Sequence, residues 1–281
     1  MGPSALRLAG LNAKLESLGY EVEDLGNVQV VQQESTPTGL ENAKYLQQIA
    51  KTCSLLAQSV DKVMRAGKFP LVLGGDHSVA AGTVAGVAHS FHERGEKIGL
   101  IWIDAHADMN TPEISPSGNV HGMPLACCVG RGPRELTHIL DYAPKVEGSN
   151  VILIGLRDVD PREREIVRES GVMAFTMRDI DERGLRSIME QAIARATGGT
   201  AGFHLSLDMD VVDPDEAPGV GTPVRGGITY REAHLAMETI CDSGSMVSME
   251  VVEVNPVLDE ANRTALLGVE LVTSAMGKKI L

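Results

Sequence analysis

The strongest constraint on this chain is a rhythm. Short, intensely apolar runs end in glycine, aspartate or histidine and are separated by segments of helical period. The runs are "FPLVLGGDHS" at 69–78, "IGLIWIDAHAD" at 98–108, "NVILIGLRDVD" at 150–160, "AGFHLSLDMD" at 201–210 and "SMVSMEVVEVNP" at 245–256. Runs this apolar, without alternation, read as parallel strands covered on both faces. Between them, Tyr45, Ile49, Leu56, Val60 and Val63 form one stripe of a helix over 41–66, which Gly67 would stop. "PREREIVRESG" from 161, "DERGLRSIMEQAIARA" from 181 and "TYREAHLAMETICDSG" from 229 read as further helices. Such alternation predicts a doubly wound α/β fold, three layers α/β/α about a mainly parallel sheet. No repeat or low-complexity linker divides residues 1–281, so one domain is expected.

Composition excludes several functions. A net charge of −13 argues against nucleic acid, which rewards clustered Lys and Arg, and is compatible with a cationic small substrate. No stretch approaches the length of a membrane span, and "MGPSALRLAG" lacks a signal core, so the expected location is the cytoplasm. The cysteines are Cys53, Cys127, Cys128 and Cys241; two are neighbours, which suits buried reduced thiols better than disulfides or a thiolate zinc site.

Chemistry concentrates where the runs end. Asp76 and His77, then Asp104, His106 and Asp108, then Asp158 and Asp160, then Asp208 and Asp210 all follow a strand. A single strand-end Asp is often no more than a helix cap. Collectively, though, Asp104, Asp108, Asp208 and Asp210 meeting in one crevice would repel one another unless a cation neutralised them. In an extended chain Asp104, His106 and Asp108, spaced two apart, share one face. Imidazole with carboxylate and no thiolate suits manganese, iron or zinc, and four acids with two imidazoles suffice for two ions. Two such ions sharing a water acidify it for attack, which points to a dinuclear metallohydrolase. Asp76 reads as orienting the His77 region rather than as a ligand. The aperiodic segment "MNTPEISPSGNVHGMP", 109–124, lies where a substrate would bind in an open α/β sheet.

"GGDHS" at 74–78, "DAHAD" at 104–108 and "SLDMDVVDPDEAPGVGTP" at 206–223 resemble the three metal-binding signatures of the ureohydrolases, the arginase and agmatinase family. The likeness continues to "VVEVNPVLDEANRTA", and the loop "DMNTPEISPSGNVHGMP" resembles the arginase form of the family, of the bacterial type. The resemblance implies an arginase-like fold and two Mn²⁺ per subunit. His77, Asp104, Asp108 and Asp208 would hold one ion, and Asp104, His106, Asp208 and Asp210 the other, with Asp104 and Asp208 bridging. It implies hydrolysis of L-arginine to L-ornithine and urea by a metal-bridging hydroxide, with agmatine or another guanidino compound as the alternative substrate.

A guanidinium carbon is a poor electrophile, so a strong nucleophile is needed. Asp108 would orient it, Glu253 would pair with the guanidinium fork, Thr222 would line the pocket and His121 would donate or shuttle the proton for the leaving amine. In the resemblance Asn110, Ser117 and Asn119 face the α-carboxylate, and Asp160 with Glu163 faces the α-ammonium, partly through water. Arg157 and Asp158 are left open between a structural ion pair and a substrate contact. The remaining histidines, His89, His92, His138, His204 and His234, read as structural or surface residues. A homohexamer built from trimers is implied, with a trimer as the alternative. In the family a first β-strand and a glycine-rich loop precede the segment at which this sequence opens. The expectation is that the true start lies upstream, because loss of that strand would expose neighbouring strand edges.

Overall fold

The computed structural model describes residues 1–279. A two-residue hairpin, β1 (Gly39–Leu40) with β2 (Ala43–Lys44), precedes the sheet proper. That sheet comprises β3 (Leu71–Leu73), β4 (Gly99–Ile103), β5 (Val151–Leu156), β6 (Met173–Thr176), β7 (Phe203–Asp208) and β8 (Met246–Val252). Its order is β3-β8-β7-β4-β5-β6 and every pairing is parallel. The five apolar runs are the five strands β3, β4, β5, β7 and β8. The sixth, β6, is a four-residue strand at the sheet edge with partly exposed residues, and its run "GVMAFTM" is shorter than the others and ends in no acid or histidine.

Strands buried on both faces send successive side chains into different cores. Ile101 and Ile103 of β4 join Leu205, Leu207, Met249 and Val251 in a core closed by the helices Leu185–Ala196, Tyr230–Ser243 and Arg263–Ala275. Leu100 and Trp102 of the same strand join the opposite core, closed by Leu46–Arg65 and Ala80–His92. This is the α/β/α arrangement.

The expected helices are present with shifted starts. The first begins at Leu46 after a left-handed Tyr45 (φ 57°), because 43–44 pair in the hairpin; Leu56 and Val60 of its stripe are buried. Glu163–Glu169 starts two residues beyond Pro161. Gly184 (φ 76°) separates Met177–Arg183 from Leu185–Ala196. A Thr229–Glu232 capping box opens Tyr230–Ser243. Among the helices of more than ten residues, Ala80–His92 and Arg263–Ala275 have no counterpart in the periodicity, since nearly every residue of each is buried and no polar face marks the turn. All four cysteines are free thiols, and Cys53, Cys127 and Cys128 are buried. Among the described residues no helix is long and apolar enough to cross a membrane.

Candidate metal centre

Parallel pairing places the carboxyl ends of β4, β7 and β8 at one edge of the sheet, and the acids that follow them meet there. The strand β4 ends at Ile103, so residues 104–108 do not converge as an extended chain. They converge as a bent loop: Asp104 Oδ1 accepts the His106 amide at 2.7 Å, and Asp108 takes a left-handed backbone (φ 51°). The bend turns His106 and Asp108 toward different partners. His77 Nδ1 lies 3.2 Å from Asp104 Oδ2, 3.0 Å from Asp108 Oδ2 and 2.9 Å from Asp208 Oδ2. His106 Nδ1 lies 2.9 Å from Asp210 Oδ2 and 3.5 Å from Asp104 Oδ1.

Two ligand sets result, His77 with Asp104 and Asp208, and Asp104 with His106 and Asp210, the donor atoms of each within 4.8 Å of one another. Asp104 is the residue common to both. Asp208 joins the first set through Oδ2, while its Oδ1 accepts the Asp210 amide at 2.7 Å. Three carboxylates crowd His77 Nδ1, yet this atom and Asp108 Oδ2 have no aligned hydrogen bond and are buried. Buried polar atoms are normally satisfied, so the donor set fits a cation. Carboxylate with imidazole and no thiolate fits a hard-to-borderline divalent ion.

The charges tell the same story. Burial, then repulsion from Asp104, pushes the Asp108 carboxyl up to about 6. Burial, with Asp210 and Asp104 nearby, holds Asp208 well above the carboxylate range. Burial opposes a charge on His106, but Asp104 and Asp210 overcome it and push the imidazole up to about 12. A cluster that must take up protons to be neutral is one that a cation would discharge them from.

Above the acids is a crevice partly open to solvent, with a cavity volume of about 130 Å³. Of the residues singled out from sequence, Asp76, Asp104, Asn119 and Arg157 do not line it, Asp104 being fully buried and Asn119 part-buried. Asn119 uses its amide on Ser117 Oγ at 3.1 Å, and Ser117 itself reaches the crevice. Asn110 Nδ2 donates to Asp160 Oδ2 at 2.9 Å, and its Oδ1 is buried without a partner. Glu163 borders the crevice but accepts the amides of Met109 (2.8 Å) and Asp160 (3.2 Å), so its carboxylate ties two loops together, and burial pushes it up to about 7. Thr222 Oγ1 donates to Asp210 Oδ2 at 3.1 Å. Glu253, left-handed at φ 60°, accepts the His77 amide at 2.6 Å; burial, then Asp76, pushes it up to about 7. His121 Nδ1 stands 3.6 Å from Asp76 Oδ2, and that carboxylate raises the imidazole to about 9.

Several supporting residues escaped the sequence reading. Trp102 stacks on the His77 ring (centroids 4.2 Å apart, 12° between planes) and donates Nε1–H to Asp104 Oδ2 at 2.9 Å. Ser206 Oγ lies 2.8 Å from His77 Nε2. Each sits two residues before a ligand aspartate, on the same strand face, and that spacing was the available signal. Asp76 caps the turn at His77 by accepting the Ser78 amide at 2.9 Å and also faces His121. The other histidines lie away from the crevice: His204 pairs with Ser248 and His234 with Ser274, each at 2.8 Å, His89 meets Asp61 at 3.0 Å, His92 stacks on Tyr142, and Nδ1 of His138 contacts Thr137.

Residues 1–277 match the model of the Arginase family. The chain is 50% identical to an arginase of Brevibacillus brevis, with 100% of this chain and 93% of that protein covered. The crystal structure of arginase from Bacillus caldovelox superposes with a TM-score of 0.96 at 48% identity, covering 100% of this chain and 93% of that one. An Entamoeba histolytica arginase solved in complex with L-ornithine superposes with a TM-score of 0.86 at 32% identity, covering 99% and 92%.

Proposed function

The chain belongs to the arginase family, and from that premise we propose that it hydrolyses the guanidinium group of L-arginine to L-ornithine and urea at a centre of two Mn²⁺. The observation that carries this reading is the pair of His/Asp sets sharing Asp104 at the floor of a single crevice. His77, Asp104, Asp108 and Asp208 would hold one ion, and Asp104, His106, Asp208 and Asp210 the other. When bound, the ions would supply an acidified water near neutral pH and neutralise four buried carboxylates.

The remaining work falls to this chain's residues. Asp108, aimed into the crevice from its left-handed turn, orients the attacking oxygen by accepting its hydrogen. Glu253 meets the guanidinium: a carboxyl held up to about 7 by burial is ionised by a cationic partner, and the planar fork fits its two oxygens. His121, an imidazolium below about 9, gives its proton to the leaving amine of ornithine. Asn110, Ser117 and Asn119 offer neutral donors to the α-carboxylate. Asp160 faces the α-ammonium, and Glu163 fixes the loops that carry Asp160 and Asn110. Thr222 lines the pocket and steadies Asp210. A cytoplasmic location and assembly into hexamers, or trimers, complete the proposal.

Urea release from L-arginine with added Mn²⁺, assayed from neutral to strongly alkaline pH beside agmatine, tests it. Urea from arginine in preference to agmatine is the expected outcome. No urea at any pH sinks the enzyme reading, and preference for agmatine replaces it with the decarboxylated substrate.

A further inference from the structure

Among the described residues Arg157 forms no ion pair, and it does not line the crevice. Its guanidinium points into backbone: Nε and Nη2 donate to Val224 O at 3.1 and 2.8 Å, Nη2 to Asp210 O at 2.6 Å, and Nη1 to Val211 O at 3.0 Å and Gly155 O at 3.5 Å. The side chain is aimed by a bulge in β5. Pairing with β6 slips between Ile154 and Leu156, and Gly155 there has φ +102°, where a Cβ would fall 2.5 Å from Val211 Cγ2 and 3.0 Å from Asp104 O. Bulges re-aim side chains in this way beside functional sites. Beyond the bulge the amides of Arg157 and Asp158 donate to Ala105 O at 2.9 and 3.2 Å, while the Ala105 amide donates to Asp210 Oδ1 at 3.2 Å.

A closed circuit results, from Arg157 through the Ala105 peptide to the Asp210 carboxylate and back through the Asp210 carbonyl to Arg157. The carbonyls that the guanidinium gathers belong to the turn Met209–Val211, which bears Asp210, and to Val224, two residues beyond Thr222, which donates to Asp210 Oδ2. No Arg157 contact reaches His77. We propose that Arg157 is the positioning residue of the second ligand set: it clamps the Asp210 turn and the Thr222 loop against His106, and so sets the affinity of that ion site more than that of the His77 site, which shares Asp104 and Asp208 but has no Arg157 contact of its own. The inference rests on the two-metal reading above. A guanidinium is required because its rigid fork spans four carbonyls at once, which a single ammonium does not.

The test is calorimetric titration of chelator-stripped protein with Mn²⁺, comparing wild type, Arg157→Lys and Arg157→Met, with His106→Asn identifying which binding event belongs to the second set. The expected result is that both Arg157 variants bind that ion roughly 10–100-fold more weakly, lose clearly less affinity for the other, and that the retained charge of Arg157→Lys does not restore the loss. Equal weakening of both ions, or wild-type affinity for both, overturns the inference. Arg157→Lys, the milder change, keeps the outcome readable should Arg157→Met not fold. Uptake of a single ion by the wild type would overturn the two-metal reading, and the inference with it, before any substitution is compared.

Discussion

Asp108 and Glu253 adopt left-handed backbone without being glycine. Such conformations cost of order 1–3 kcal/mol and persist where the surroundings over-determine them. Here they point two carboxylates into the crevice from loops whose neighbours point elsewhere. His121 shows a second kind of residue-level tuning, since Asp76 holds its imidazole protonated to about 9. That carboxylate is 55% exposed, so water already screens part of the effect. In Asp76→Asn the imidazole should fall toward the ordinary ~6.5, and the alkaline limb of the kcat profile should move to lower pH. A pH–rate series checks this, and an unmoved limb would separate His121 from the proton transfer. The ligand types were legible because acids and imidazoles at strand ends stand out against apolar runs. Trp102, Ser206 and Arg157 were not, because an indole, a hydroxyl or a backbone-bound guanidinium carries no mark of what it touches.

At the level of elements, the long loop 109–124 is braced by the hairpin β1–β2. The Lys44 amide donates to Gly118 O at 2.9 Å, and Asn42 Nδ2 to Pro112 O at 3.1 Å. Gly118 is left-handed (φ +69°), and a Cβ there would fall 1.9 Å from the Glu41 carbonyl oxygen. Gly118→Ala should therefore push the loop off its brace, raising KM for arginine while kcat changes less, because Asn110 and Ser117 ride on the loop whereas the acids do not. Steady-state kinetics decide it; an unchanged KM would mean that the hairpin does not position the loop. The hairpin was absorbed into the helix expected over 41–66, because Asn42, Ala43 and Lys44 carry no turn signal strong enough to break the stripe. Helix Ala80–His92 was missed for the opposite reason. Its Gly82 and Gly86 let it pack against the backbone at Cys53 and Ala57, so it is buried nearly all round and shows no amphipathic period. The strand β6 is short and lies at an edge. The parallel sheet itself was legible, whereas its order was not, since β3 beside β8 joins segments far apart in sequence.

Across the whole molecule, the buried acids couple stability to metal and to pH. Without metal, burial and Asp104 hold Asp108 at about 6 against ~3.9 in an unfolded chain. Between these values the folded state binds more protons, so stability falls as pH rises. Asp104 and Asp210, outweighing burial, hold His106 up at about 12, which gives the same sign above the ordinary imidazole range of ~6.5. The chelated protein should thus melt lower at about pH 8 than at about pH 5, and Mn²⁺ should raise the melting temperature more at the higher pH. Calorimetric melts of both forms at both pH values check the sign, and a metal effect independent of pH would show that the acids are not what the ion neutralises. The chain also contains one tryptophan, Trp102, and it is the ring stacked on His77 with its N–H on Asp104. Excited at the red edge, where its four tyrosines do not absorb, the protein therefore emits from a single indole at the floor of the crevice, and a paramagnetic ion arriving there should quench it. The protein thus carries a native optical gauge of its own metal loading, readable without any dye or label.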